Sequence, residues 1–170
     1  MIEEIAATFE HLAAGVVVKL TEPALAIIAR QALDSKRDET GGILIGRYQD
    51  DGYTALVTSA TARPNDSISG RTWFQRGVRG LKELLRDRWR RGEYYLGEWH
   101  SHPDGSPEPS GNDFREMRSI SIDSSYRCNR PLLIIAGTSA GSIELSVSVI
   151  DSGRLVRLQR SKTTSTAAAT

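Results

Sequence analysis

The chain has 170 residues, with 22 lysines and arginines against 21 aspartates and glutamates, for a net charge of +1. That length suits one domain with its own hydrophobic core, and the near-neutral balance gives no basis for a nucleic-acid or membrane partner. A single cysteine, Cys128, excludes an intrachain disulfide and a thiolate metal cluster.

The start, "MIEEIAATFEHLAAG", is acidic and lacks a basic region ahead of an apolar core. It does not read as a signal peptide, and no apolar run reaches the roughly 20 residues of a membrane helix. A cytoplasmic protein is the expectation. Residues 1–14 predict a short helical extension, with His11 at its surface or in packing. "GVVVKL" reads as a strand. Thr21 is a helix cap and Pro23 fits the first turn, where its missing N–H costs little. The helix after it carries Leu25, Ile28, Ala29 and Ala32 on one face and ends near Asp34.

"GGILIGRYQ" and "GYTALVTSA" read as two strands joined by a hairpin turn whose signal is Asp51-Gly52. "TARPNDS" is a loop. A helix is predicted from Arg71 to Arg90, with Phe74, Val78, Leu81, Leu85 and Trp89 as its apolar stripe. Its arginines form either a basic docking surface or a solvated face, the second being the simpler reading. "EYYLGEWHSH" is a strand, "GNDFREMRSI" a short helix, and "RPLLIIAGT", "SIELSVSVI" and "RLVRLQR" three further strands. The last ten residues, 161–170, are small and polar and read as a disordered tail. Strands interleaved with a few helices predict one α/β domain around a curved mixed β-sheet over residues 15–160.

The chemistry concentrates in "GEWHSHPDGSPEPSGND", residues 97–113. His100 and His102 are two apart, so on a strand both imidazoles project from one face toward one ion. Histidine nitrogen and carboxylate oxygen are common zinc donors, and a catalytic site leaves one position for water. Asp113 can supply the third donor after the intervening loop. Ser110 is placed to cap the next helix, with Asp113 at capping-box spacing, and the helix dipole then favours its ionised form. Such a triad still lacks a base. Cys128 sits in a loop and reads as structural or incidental, and Gly41, Gly42 and Gly46 do not form a phosphate-binding pattern.

His100-Ser101-His102, seven residues, Ser110, two residues and Asp113 resembles the signature of the JAMM zinc metalloproteases, the MPN or Mov34/PAD-1-like family. "DETGGILIG" resembles the family's upstream glutamate and the glycine-rich strand after it. The resemblance implies an MPN fold, one Zn²⁺ per chain, and zinc ligands at His100, His102 and Asp113. It also implies Glu39 as general base and then acid, and Ser110 as a donor to the tetrahedral oxyanion. Ser101 is expected to point away from the metal in a structural role, and Trp99 and Pro103 to pack under the site. Glu98 departs from the pattern of eukaryotic relatives. Alternation puts it on the histidine face, where it either orients His100 or meets substrate or solvent.

"YLGEWHSHP" looks like the bacterial branch, some of whose members accompany ubiquitin-activating and conjugating enzyme homologues in CBASS and related antiphage operons. That likeness implies a deubiquitinase-like isopeptidase that reverses or primes protein conjugation. Its partners are then a ubiquitin-like modifier or a conjugated protein with an extended C-terminal tail, with E1/E2-like enzymes and a nucleotidyltransferase from the same operon. The alternatives are a processing peptidase for a sulfur-carrier protein and a non-catalytic MPN scaffold.

Overall fold

The computed structural model describes residues 3–162. Strand β1 spans Ile5–His11 and β2 spans Val16–Thr21, followed by helix α1 at Glu22–Asp34. Strands β3 (Gly41–Tyr48) and β4 (Thr54–Ala60) form the predicted hairpin. Gly52, at φ +73°, makes its turn, and Asp51 accepts hydrogen bonds from the Tyr53 and Thr54 N–H groups. A small separate hairpin pairs β5 (Ile68–Gly70) with β6 (Trp73–Gln75). Helix α2 (Leu81–Trp89), strand β7 (Tyr94–His102) and helix α3 (Gly111–Ile122) come next. Strands β8 (Leu132–Ser139), β9 (Ser142–Asp151), β10 (Arg154–Arg157) and β11 (Gln159–Arg160) complete the order.

Nine strands form one curved mixed sheet in the order β10-β9-β8-β7-β3-β4-β2-β1-β11. The β2–β4 and β7–β8 pairs are parallel, and the others are antiparallel. The two outermost strands are separated in the chain by Leu158 alone, whose N–H donates to the Val147 carbonyl. One segment, 154–160, therefore pairs with β9 at one rim and with β1 at the other and draws the sheet closed. The layers reflect the period of two along β8. Leu132, Ile134 and Ala136 face the main core with Ala24, Ile28 and Ala32 of α1. Leu133 and Ile135 face Met117 of α3. On that second side Leu81, Leu84 and Leu85 of α2 pack against Ile43, Ile45 and Tyr95. The chain is thus an α/β fold with helices on both faces, and no helix among the described residues is long and apolar enough to cross a membrane.

Two expectations need correction. Residues 5–11 are not helical; they are β1, in register with β2 and β11. Alanine and glutamate favour a helix, but propensity is a weak guide that pairing on both edges overrides. Alternation puts Ala7 and Phe9 in the core, at 7 % and 3 % exposure, and burying a phenylalanine contributes about 1.5–3 kcal/mol. His11 ends the strand, and its Nδ1 accepts from the Ala14 N–H. The helix predicted over 71–90 is likewise broken into β6, a loop and the shorter α2. Gly80 precedes α2 at φ +80°, a conformation that interrupts any helix running through it. Phe74 and Val78 consequently lie outside the helix.

No residue of α2 is buried, and its arginines are partly neutralised. Arg90 pairs with Asp87 at 3.1 Å and Arg88 with Glu93 at 2.9 Å, which favours a solvated face that is tied down at its end. Thr21 is the residue before α1, but its hydroxyl donates to the Thr58 carbonyl instead of capping the helix. The tail expected over 161–170 lies outside the described residues from 163 onward.

Candidate metal and catalytic centre

Strand β7 presents His100 and His102 on one face, as their spacing requires, with Ser101 fully buried on the other. The close approach of β3 to this strand depends on Gly41, the register partner of His100. A Cβ on Gly41 would collide with the Trp99 carbonyl and lie 2.9 Å from His100 Cβ. Helix α3 begins with the capping box. Ser110 Oγ accepts from the Asp113 N–H at 3.2 Å, and Asp113 Oδ2 accepts from the Ser110 N–H at 2.6 Å. This fixes the Asp113 carboxylate on the first turn, facing the histidines.

His100 Nε2 lies 3.2 Å from Asp113 Oδ1, and His102 Nε2 lies 3.6 Å from Asp113 Oδ2. Glu39 Oε1 is 4.0 Å from His102 Nε2. One donor atom from each of Glu39, His100 and His102 falls within 4.8 Å of the others. The four side chains named from the sequence for ligation and proton transfer therefore come together from three separate segments.

Two observations bear on whether a metal suits them. His102 Nδ1 lies 2.9 Å from the Ser106 carbonyl. A carbonyl can only accept, so Nδ1 carries a hydrogen and Nε2 is the ring nitrogen left facing Asp113, available to an ion. His100 Nε2 is buried and makes no hydrogen bond, despite its closeness to Asp113. Buried nitrogens are rarely left so. Ligands at about 2.0–2.1 Å from a tetrahedral zinc stand roughly 3.3 Å apart. The histidine–Asp113 spacings match that figure and the Glu39 spacing exceeds it. The donor set of two imidazole nitrogens and a carboxylate fits such an ion.

The electrostatics point the same way. Burial works to raise the Asp113 pKa, but the facing His100 and His102 rings and the Ser110 N–H hold its carboxyl well below the usual carboxylate range. Burial pushes the Glu39 carboxyl above its ordinary value, with the two histidines acting against that rise. Asp113 is thus kept ionised, the form a ligand needs, and Glu39 holds a proton more readily than a free carboxylate does.

Ser101 Oγ accepts from the Thr40 N–H at 3.1 Å, and the Ser101 N–H donates to the Thr40 carbonyl at 2.8 Å. Its side chain thereby fastens the residue after Glu39 to the histidine strand. The Trp99 indole is fully buried, and its Nε1 donates to the Thr61 carbonyl at 2.9 Å. Of the two expectations for Glu98, orienting His100 is not met. Its Oε2 accepts from Arg76 Nε at 2.6 Å and its Oε1 from the Tyr95 hydroxyl at 2.7 Å. Glu98 instead lines a cavity of about 290 Å³ beside His100 and Asp113, walled by Phe74, Arg76, Glu116 and Met117. Arg76 and Tyr126, bonded at 3.2 Å, were not singled out from the sequence. The glycines at 77 and 80 were the signal that Arg76 lies in a loop and not on a helix.

Cys128 packs against the Ile43, Ile45 and Tyr95 cluster, and burial pushes its thiol up to about 11. A thiol so placed holds little thiolate near neutrality. Cys128→Ala should leave hydrolytic activity within about twofold of the parent, and at pH 8 the native thiol should react with a disulfide reagent far more slowly than after unfolding. Loss of activity in the alanine variant, with its fold intact, would give this cysteine a role in the chemistry.

Residues 21–148 match the model of a family described as prokaryotic homologs of the JAB domain. The chain is 50 % identical over 147 residues to the CD-NTase/cGAS isopeptidase of Enterobacter hormaechei subsp. hoffmannii, covering 86 % of this chain and 82 % of that protein. It is 32 % identical over 101 residues to a Sinorhizobium fredii protein named "Probable metalloprotease y4qB", covering 57 % of this chain and 61 % of that one. The solution structure of a Desulfitobacterium hafniense protein superposes with a TM-score of 0.60 at 18 % identity, over 82 % of this chain and 88 % of the other, and bears on the fold alone.

Proposed function

The chain belongs to the family of prokaryotic JAB-domain homologues, and from that membership we propose that it is a zinc-dependent isopeptidase that releases a protein joined to another through its C-terminal carboxylate. The observation that carries the reading is the convergence of His100, His102, Asp113 and Glu39, with a buried His100 nitrogen that makes no hydrogen bond. On this reading His100, His102 and Asp113 hold one Zn²⁺. When bound, such an ion polarises a carbonyl and brings the pKa of water to about 7.

The chain's own groups do the rest. Glu39 takes a proton from the attacking water as the new C–O bond forms, and it delivers that proton to the nitrogen as the C–N bond breaks. Without that delivery the amine would leave as a strong base. Ser110 contributes through its cap geometry. Its oxygen accepts from the Asp113 N–H, so its own O–H stays free to donate to the oxyanion. Ser110 is exposed, as a group that meets substrate must be.

The name of the Enterobacter relative, CD-NTase/cGAS isopeptidase, supports a conjugated CD-NTase as the substrate, and the resemblance of "YLGEWHSHP" to the bacterial branch supports an antiphage CBASS setting as the context. The test uses a purified conjugate of that kind. Cleavage is expected to stop when a chelator strips the metal and to return with about one equivalent of Zn²⁺ per chain. Undiminished cleavage by protein shown to be metal-free would overturn the proposal.

A further inference from the structure

Glu39 lies between the end of α1 at Asp34 and the start of β3 at Gly41, outside any helix or strand, yet it is only 7 % exposed. Its backbone must be held by something other than a regular ladder. The Glu39 N–H donates to the Gly70 carbonyl at 2.9 Å, in the β5–β6 hairpin. Its carbonyl accepts from Arg63 Nη1 at 3.5 Å. The same guanidinium donates to Ser69 Oγ at 2.6 Å and to the Ser67 carbonyl at 2.8 Å. It also lies over the Phe74 ring, 5.7 Å from the centroid. The Arg63 N–H in turn meets Gln31 Oε1 of α1 at 3.5 Å.

One cation thus binds the loop after β4, both strands of the small hairpin and the segment carrying Glu39. Phe74 extends the connection, because it lines the cavity beside His100 and its ring would lie 2.7 Å from a Cβ on Gly41. A planar fork is pre-organised to serve three oxygens while stacking on an aromatic face, which a compact, strongly hydrated lysine ammonium does less well.

We propose that Arg63 is a positioning residue for Glu39: it brackets the Glu39 backbone to the β5–β6 hairpin and so sets where the carboxylate stands relative to His102. This rests on the role given to Glu39 above. Arg63 makes no hydrogen bond or ion pair with the histidines or Asp113: it bears on proton transfer through Glu39, and through Phe74 it reaches only the wall of the cavity.

Arg63→Ala is expected to lower kcat on the conjugate by about 10- to 100-fold, the scale of a misplaced catalytic group. KM should stay within about twofold, and zinc content should stay that of the parent. Arg63→Lys should fall between the parent and the alanine variant. In a Glu39→Gln background Arg63→Ala should bring no further loss, because both changes act through one group. Hydrogen exchange on the metal-free protein should be faster in the peptide covering residues 36–41. Equal fold-losses in both backgrounds, a rise in KM with kcat intact, or unchanged exchange would each overturn the bracket. If Arg63→Ala does not fold, Arg63→Lys carries the same comparisons. If the native chain cleaves no conjugate, the isopeptidase reading fails, and the exchange measurement alone upholds or sinks the bracket.

Discussion

Glu39→Gln is expected to cut conjugate cleavage by about 10²- to 10⁴-fold, the usual contribution of a general acid–base group. Glutamine has the same shape and can still hydrogen-bond, but its amide neither takes nor returns a proton. Glu39 stands 4.0 Å from His102 Nε2, beyond the 3.2 and 3.6 Å separations of Asp113 from the two histidines. A residue at that distance serves the chemistry without being needed to grip the ion. Metal content by mass spectrometry should therefore match that of the parent in Glu39→Gln and fall to background in Asp113→Ala. Single-turnover cleavage measured beside metal content separates the two roles. A Glu39→Gln protein that keeps its metal and cuts at the parent rate would remove the proposed base. One that loses its metal would move Glu39 into the ligand set.

Arg76→Ala is expected to cost about 3–5 kcal/mol of folding stability, the usual result of removing one partner from a buried ion pair. Both side chains are only 12 % exposed, and the bond is 2.6 Å. Removing Arg76 leaves the Glu98 carboxylate with the Tyr95 hydroxyl alone. Burial already pushes the Glu98 carboxyl above its ordinary value, with Arg76 pulling it back. Replacing both residues by methionine should recover most of the loss, because it leaves no uncompensated charge. Urea unfolding of the parent, the single and the double variant checks this. A single variant within about 1 kcal/mol of the parent would show that the charge of Glu98 is satisfied by other means.

What could be read from the sequence was local. The two-residue spacing of His100 and His102 and the Ser110–Asp113 capping box depend on periods of a few residues, and both geometries are present. So are the β3–β4 hairpin and its Asp51-Gly52 turn. The failures arose where distant pairing decides. Residues 5–11 have no strong strand composition, and they become β1 because β2 and β11 lie on either side. The stripe from Phe74 to Trp89 has a helical period by composition, but Gly77 and Gly80 interrupt it. Arg76 reaches Glu98 across 22 positions and Arg63 reaches Glu39 across 24. No spacing rule announces contacts of that kind, since they exist only once the sheet has formed.

The segment from Arg154 to Arg160 bears on how the protein is made. Arg160 pairs with Phe9, and the Ser161 N–H donates to the Thr8 carbonyl. Strand β1 is therefore synthesised long before the segment that covers its outer edge. Contacts between such distant positions are slow to form, and an uncovered edge can pair with a neighbouring nascent chain. Residues 39 to 113 are all synthesised well before that closure. The groups that would grip an ion can thus gather while the edge of β1 is still open, and aggregation during synthesis, more than loss of the centre, is the hazard of a change in β10 or β11.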